Sequence, residues 1–435
     1  MVHAVAGICM HNQCSLIVAP FPVTANPLDD PFYYLNNFMQ VLDWLEHRYA
    51  DVLSVEEHRF IRDFNGLPRE SQALLVRLVM RKGIHFRASK LHYAEIGDIA
   101  SAAQPLLALG WLDERQPLSI EALFEVLLKA EILQCLGNAI AQPKGKKIDW
   151  LPALCEQFAQ AQPFSDWCPA LSDRLFSLTI MSLCDRLRLM FFGNLYQDWS
   201  EFVLADLGIF TYEKVEFCAD SRGLRSREDV DACMFLYQCQ QLFEAGGAVA
   251  GIVEQINGLA LSNPWLQRRR DKLLFQMGQE CERVGDFSAA LTLYRDCAYP
   301  GARVRMIRVL ERCGEYQLAL DLACRAEQAP QNAAEHQHLL RVLPRLRRKL
   351  GGPVVKRPAP RQMQRLDLQL SRTDPLLSVE DYVQAHLGEN SAPVHYVENS
   401  LINSLFGLLC WPAIFAPLPG AFFHPFQRGP VDLLS

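Results

Sequence analysis

The feature that most limits the fold of this chain is its apolar period. Over residues 32–160, hydrophobic side chains recur every three or four positions, as in Phe38, Val41, Leu42 and Leu45 and again in Leu74, Leu75, Leu78 and Val79. That spacing lines one stripe of an α-helix and lacks the strict alternation of a half-buried strand. Residues 170–345 keep the same period almost throughout. The pattern predicts a mainly α, multidomain protein, because 435 residues exceed what one core accommodates. With 50% hydrophobic and 21% charged residues, the chain has the balance of folded domains and not of a disordered tail.

Several function classes are set aside by composition and motif. The net charge of −6 gives no overall nucleic-acid signal, so any such contact must come from local basic patches. Fourteen cysteines are scattered singly, without a C-x-x-C pair or a zinc ladder, and read as buried thiols in a reducing cytosol. No apolar run reaches the roughly 20 residues of a membrane span, so no membrane partner is expected. Residues 1–29 lack a basic n-region and are expected to be a flexible extension. The run from Pro143 to Lys147 lacks Walker spacing, the histidines form no metal-spaced pair, and no nucleophile motif such as GxSxG occurs.

Three stretches organise the rest. LSIEALFEVLLKAEILQCLGNAIAQPKGKKIDWLPAL reads as two helices joined by a Gly-Lys-Lys turn and resembles the SAP module, a small helix–loop–helix DNA binder. Leu127, Leu133 and Leu136 would be its core, and Gly145, Lys146 and Lys147 its turn. Further on, GDFSAALTLY from Gly285 and GEYQLALDLA from Gly314 repeat one pattern: a turn glycine, an aromatic, then small residues where helices touch. This is a TPR-like arrangement, in which each helix pair buries its apolar face only by stacking on the next. Last, 341–365 holds nine Arg/Lys and no acid, and its glycines and prolines argue for a linker whose charges are either solvated or in contact with phosphate.

Two longer strings, VRLVMRKGIHFRASKLHYAEIGD (76–98) and VENSLINSLFGLLCWPAIFAPLPGAFFHPFQRGPVDL (397–433), carry a family resemblance, and MFFGNLYQDWSEFVLADLGIFTYEKVEF (190–217) agrees with it. They are similar to the DNA-binding segment and the opening of the nuclease region of the Fanconi-associated nucleases, the VRR-NUC family, bacterial type. The similarity runs from about Asp30 to the last residue. It implies a winged-helix/SAP-like DNA-binding region over 30–165, a TPR-like helical region over 166–349, a basic linker over 350–375, and over 376–435 the first helices of an incomplete α/β PD-(D/E)xK nuclease domain.

What the resemblance implies chemically is phosphodiester hydrolysis at 5′ flaps and at branched or cross-linked DNA, in repair. Clustered carboxylates would hold Mg²⁺ or Mn²⁺, which neutralises the charge built up at phosphorus and acidifies bound water. Glu398 matches the first carboxylate and sits before an apolar helix, Leu401–Trp411, where an acid is also favoured by the helix dipole alone. None of the ten lysines has Asp or Glu two positions before it, so the family's Glu-x-Lys is missing and the chain is expected to bind DNA without cutting it. DNA-contact positions carry over onto Tyr34, Arg77, Arg81, Lys82 and Tyr93, and in the SAP turn onto Lys144, Lys146 and Lys147. Arg268, Arg269, Arg270 and Lys272 are candidates for gripping a 5′-phosphate, against a plain exposed charged helix. A non-catalytic DNA-binding or protein-interaction scaffold is the alternative. Localisation is expected in the bacterial cytoplasm near the nucleoid, and a homodimer stays open.

Overall fold

The computed structural model describes residues 30–197, 199, 212–353, 367–371, 378–389, 391–398 and 400–431. The expected extension at 1–29 and most of the basic linker lie outside these. The described residues form two compact units: those up to Gln238 together with those from Pro417 onward, and Cys239–Ala416. No helix among them is long and apolar enough to cross a membrane.

The first unit opens with α1 (Tyr33–Tyr49), α2 (Val55–Asn65) and α3 (Arg69–Val79). A capping box starts α2, with the Ser54 hydroxyl accepting from the Glu57 amide and the Glu57 carboxylate accepting from the Ser54 amide. The same fully buried Glu57 takes hydrogen bonds from Arg186 and Arg227, which come from two later helices. One side chain thus caps a helix and ties three segments together, and the two guanidiniums satisfy its buried charge.

Strand β1 (His85–Arg87), α4 (Ile99–Ala108), β2 (Leu112–Asp113) and β3 (Leu175–Leu178) follow. The strands form one antiparallel sheet in the order β1-β3-β2, with Phe86 opposite Phe176 and Leu112 opposite Leu178. Helices α1, α3 and α4 packed beside a three-stranded sheet are the expected winged-helix layout. The SAP-like segment sits in the chain between β2 and β3, as α5 (Ile120–Val126), α6 (Lys129–Leu136), α7 (Lys147–Gln157) and α8 (Phe164–Trp167). Its core is Leu123, Leu127, Ile132, Leu136, Trp150 and Leu154. The predicted single helix before the lysine turn is two helices, broken at the extended backbone of Leu127. Strand β3, which follows the boundary expected at 165, pairs with both β1 and β2.

Helix α9 (Met181–Phe192) and the start of α10 (Arg227–Glu244) finish this unit, with one further piece. Residues 417–431, expected to belong to the nuclease region, pack here. Phe423 is fully buried and its carbonyl accepts from Trp44 Nε1 at 3.2 Å. Its ring lies against Gly193 and Gly223, where a Cβ would approach to 2.4 and 2.6 Å. Gly193 also ends α9 at φ +69, so glycine is required there twice over. His424 stacks on Phe191 at 4.6 Å between ring centroids.

The second unit continues α10 into α11 (Val249–Asn257), α12 (Pro264–Val284), α13 (Phe287–Arg295), α14 (Ala302–Arg312), α15 (Tyr316–Gln328) and α16 (Ala333–Lys349). From α12 to α16, each helix packs against the next in sequence. The two repeated strings are structurally equivalent. Gly285 and Gly314 both have positive φ, Asp286 and Glu315 donate back to Cys281 and Leu310 at 2.9 Å, and Ala290 and Ala319 are both fully buried. The close helix approach, however, is at Gly278, whose Cβ would meet the Tyr294 ring at 2.5 Å, and not at Gly314, where nothing lies within 4 Å. Residues 341–349 belong to α16 and not to a linker. The unit ends with α17 (Val379–Leu387), α18 (Leu401–Leu409) and α19 (Trp411–Ile414), so the predicted helix 401–411 breaks at Cys410, just before Pro412.

Candidate nucleic-acid interface

The end of α3 builds the first basic site. Arg77 is half-buried on α3 and donates through Nε and Nη2 to Glu95 Oε1 at 3.0 and 2.5 Å. Its guanidinium lies 3.8 Å from the Tyr34 ring centroid and 5.2 Å from that of Tyr93. The Tyr34 hydroxyl donates to the same Glu95 oxygen at 3.0 Å. Burial pushes the Glu95 carboxyl up, but hydrogen bonds from Arg77 and Tyr34 bring it below the usual range. Burial raises the Tyr34 hydroxyl well above its ordinary value. Tyr34 is 1% exposed, so it cannot offer DNA a hydroxyl or a ring face. That assignment is corrected: Tyr34 and Arg77 form an inner layer locked on Glu95.

The outer layer is accessible. Arg81 and Lys82 are exposed just past α3, and Arg81 Nη1 donates to the Tyr93 hydroxyl at 3.1 Å. Gly83, at φ +88, turns the chain from these residues into β1. Arg77 between the two tyrosines thus fixes Tyr93, and Tyr93 fixes Arg81. Two cations at adjacent positions on such a support can take one or two phosphates. Sequence reasoning missed Glu95, although it lies inside the string that carried the resemblance.

The SAP-like turn separates its lysines. Trp150 Nε1 donates to the Gln142 carbonyl at 3.0 Å, and a Cβ on Gly145 would press on both groups. Lys144 and Lys146 are exposed on this turn. Lys147 is corrected: its Nζ donates to the carbonyls of Phe124 and Leu127, closing the C-terminal end of α5 where a cation suits the helix dipole. The module is anchored to the sheet by Arg87, which donates to Asp173 and Glu131, each at 2.7 Å.

In the second unit, the four cations of α12 do not form one cluster. Arg268 and Lys272 are exposed one turn apart, whereas Arg269 covers the Trp265 ring at 4.1 Å. Arg270 reaches Asn257 Oδ1 at 3.4 Å and lies 3.9 Å from Asp271. Glu398 is exposed, precedes α18 by three residues, and accepts from the Tyr396 hydroxyl at 2.9 Å. It is therefore not in the first turn of that helix. No three His, Cys, Asp or Glu side chains converge to hold a metal among the described residues. Glu398 is thus without carboxylate partners for a divalent cation among the described residues.

Comparison with known proteins agrees with this layout. Residues 32–113 match a family model described as the FAN1 HTH domain, and 117–167 one described as the Fanconi anemia-associated nuclease SAP domain. Fold and matches together define a helix-turn-helix plus SAP protein of the DNA-nuclease class. The chain belongs to the Fanconi-associated nuclease 1 family, being 51% identical over 426 residues to the homolog from Pseudomonas aeruginosa, with 98% of this chain and 76% of that protein covered. The homolog from Arabidopsis thaliana is 23% identical over 92% of this chain and 51% of its own length. A crystal structure of paFAN1 bound to 2nt 5′ flap DNA with a gap superposes with a TM-score of 0.84 at 52% identity, covering 95% of this chain and 75% of that one. Its counterpart with a 1nt flap gives 0.80 at the same identity.

Proposed function

We propose that this protein serves a structure-specific DNA nuclease activity in repair, and that the 435 residues here bind 5′-flap or branched DNA without cleaving it alone. The observation that carries the binding half is the outward pair Arg81 and Lys82, of which Arg81 is held on a Tyr93–Arg77–Glu95 support within a helix-turn-helix unit. The similarity to paFAN1 in complex with flap DNA supports the choice of substrate. Tyr93, Lys144 and Lys146 add contacts from the same unit, and Arg268 with Lys272 contacts the 5′-phosphate from the helical one. We assign the stacked hairpins α12–α16 to the TPR-like class.

The binding-only half rests on Glu398. One exposed carboxylate bonded to a tyrosine is a weak ligand for Mg²⁺ or Mn²⁺, and the sequence holds no Glu-x-Lys to join it. The place of action is the bacterial cytoplasm, at the nucleoid. The test is a titration of labelled 5′-flap DNA, with and without Mn²⁺. The chain is expected to bind with steep salt dependence and to leave the DNA intact. Charge reversal at both positions, Arg81→Glu with Lys82→Glu, is expected to weaken binding alike on all sequences. Metal-dependent cutting that survives Glu398→Ala overturns the active-site reading, and unchanged affinity of the double variant overturns the assigned DNA face.

A further inference from the structure

Helices α14 and α16, separated in sequence by α15, are pinned together by two ion pairs. Arg303 meets Glu335 at 2.6 Å near the start of both helices, and Glu311 meets Arg345 at 2.6 Å near their ends. Both pairs are bidentate, so the helices lie parallel with a fixed spacing.

Around the second pair stand three more arginines, each one helical turn away. Arg308 precedes Glu311 by three residues, Arg341 precedes Arg345 by four, and Arg348 follows it by three. All three are exposed, and none meets a carboxylate among the described residues. Arg341 reaches only the Gln337 carbonyl of its own helix. The acid within this group, Glu311, is already engaged by Arg345. The neighbouring Arg305 and Arg312 lean towards the buried Glu282 of α12, so the basic character continues along the unit. The half-buried His338 imidazole is held below its ordinary range, by burial first and then by Arg345 and Arg341. In a chain of net charge −6, so many cations on one rigid face are not a consequence of composition.

We propose that the face shared by α14 and α16 is a second phosphate-contacting surface for duplex DNA, with Arg308, Arg341 and Arg348 as its contacts. Among the described residues of α14 and α16 a single large apolar side chain, Leu340, is exposed, which falls short of the apolar centre a protein partner would call for. A phosphate backbone needs only guanidinium donors on a stiff scaffold. Each of the two units then holds phosphate by its own residues, which suits a substrate with more than one duplex arm. The inference rests on the reading that this chain binds DNA, but it does not depend on Arg81 or Lys82.

The test uses the full chain and measures affinity for flap DNA and for plain duplex over a range of salt. The triple variant Arg308→Glu, Arg341→Glu, Arg348→Glu is compared with the same three changed to Gln, and thermal melts verify the fold of each. Loss of three phosphate contacts lowers the slope of log K against log salt by about two to three. Affinity is expected to fall at least about tenfold in the Glu variant, adding to the effect of Arg81→Glu with Lys82→Glu. An unchanged slope in the Gln variant overturns the proposal, because remote repulsion alone then accounts for the Glu result. Equal weakening of binding to poly-glutamate also overturns it, in favour of an acidic protein partner. Should the Arg81 and Lys82 changes have no effect while the triple variant loses its slope, this surface stands and the N-terminal assignment fails. A chain without salt-dependent DNA binding sinks both.

Discussion

The two units are held together in opposite ways. In the first, the decisive contacts join residues far apart in sequence: Trp44 with Phe423, Glu57 with Arg227, and β1 with β3. In the second, from α12 to α16, each helix rests on the next. The segment 401–431 brings the contrast into a single stretch of chain. Phe423 is fully buried in the first unit, while Ile402, Leu405, Phe406 and Leu409 of α18 are exposed in the second. Apolar content alone therefore says little about where a segment belongs, and the complementary surface decides. Trp44, Gly193 and Gly223 supply such a surface for Phe423.

The largest expected effect tests this contrast directly. Phe423→Ala should cost the first unit about 3–5 kcal/mol, the usual range for emptying a buried phenylalanine site. Denaturant unfolding followed by tryptophan fluorescence measures it, and the helical unit should keep its own midpoint. A single shared transition that shifts as a whole would show that the units are not independent. The next effect depends on pH. Burial pushes His424 down to about 3 from an ordinary 6.5, so the folded state keeps the ring neutral where the unfolded chain protonates it. Stability is therefore present above about 6.5 and is lost as pH falls towards 3. By pH 5 the loss should reach about 2 kcal/mol. His424→Phe, which retains a ring for stacking on Phe191, should remove this component of the slope. Parallel pH curves for the two proteins would contradict the buried neutral imidazole.

Smaller effects belong to the second unit. Gly314→Val should cost about 1–3 kcal/mol through backbone strain at φ +80. Gly314→Asn should recover most of that, because asparagine tolerates the left-handed region. If Asn and Val are equally damaging, crowding and not dihedral strain is responsible. The smallest effect is Leu409→Ala, at a side chain that is 80% exposed, with a change within about 0.5 kcal/mol. A cost comparable to that of Phe423→Ala would mean that α18 has a partner surface in solution.

Helix positions and the hairpin repeat were legible because their signals are local. The 3.6-residue period and the pair Gly285 and Gly314 each lie within one or two turns of what they specify. The strands were not legible: they are two to four residues long, and the LFSL of β3 is buried throughout, so it shows no alternation. The place of residues 417–431 was not legible for a different reason. The partner of Phe423 lies 379 residues earlier, and no periodicity encodes such a distance. Among site residues, Arg81 and Lys82 are exposed, as a phosphate contact requires. Tyr34, Arg77 and Lys147 were read as surface contacts because residue type reveals the available hydrogen bonds but not the neighbour, Glu95 or the α5 carbonyls, that claims them.

The return of residues 417–431 to the first unit also has a consequence for synthesis. A ribosome adding about 5–20 residues per second completes Gln238 well before it reaches Phe423. For tens of seconds the nascent chain holds Trp44, Phe191 and Gly193 without the strand of residues that covers them, while the helical unit between is being made and can fold as it emerges. The N-terminal unit is begun first, yet its Phe423 site is filled only after Cys239–Ala416 has been made.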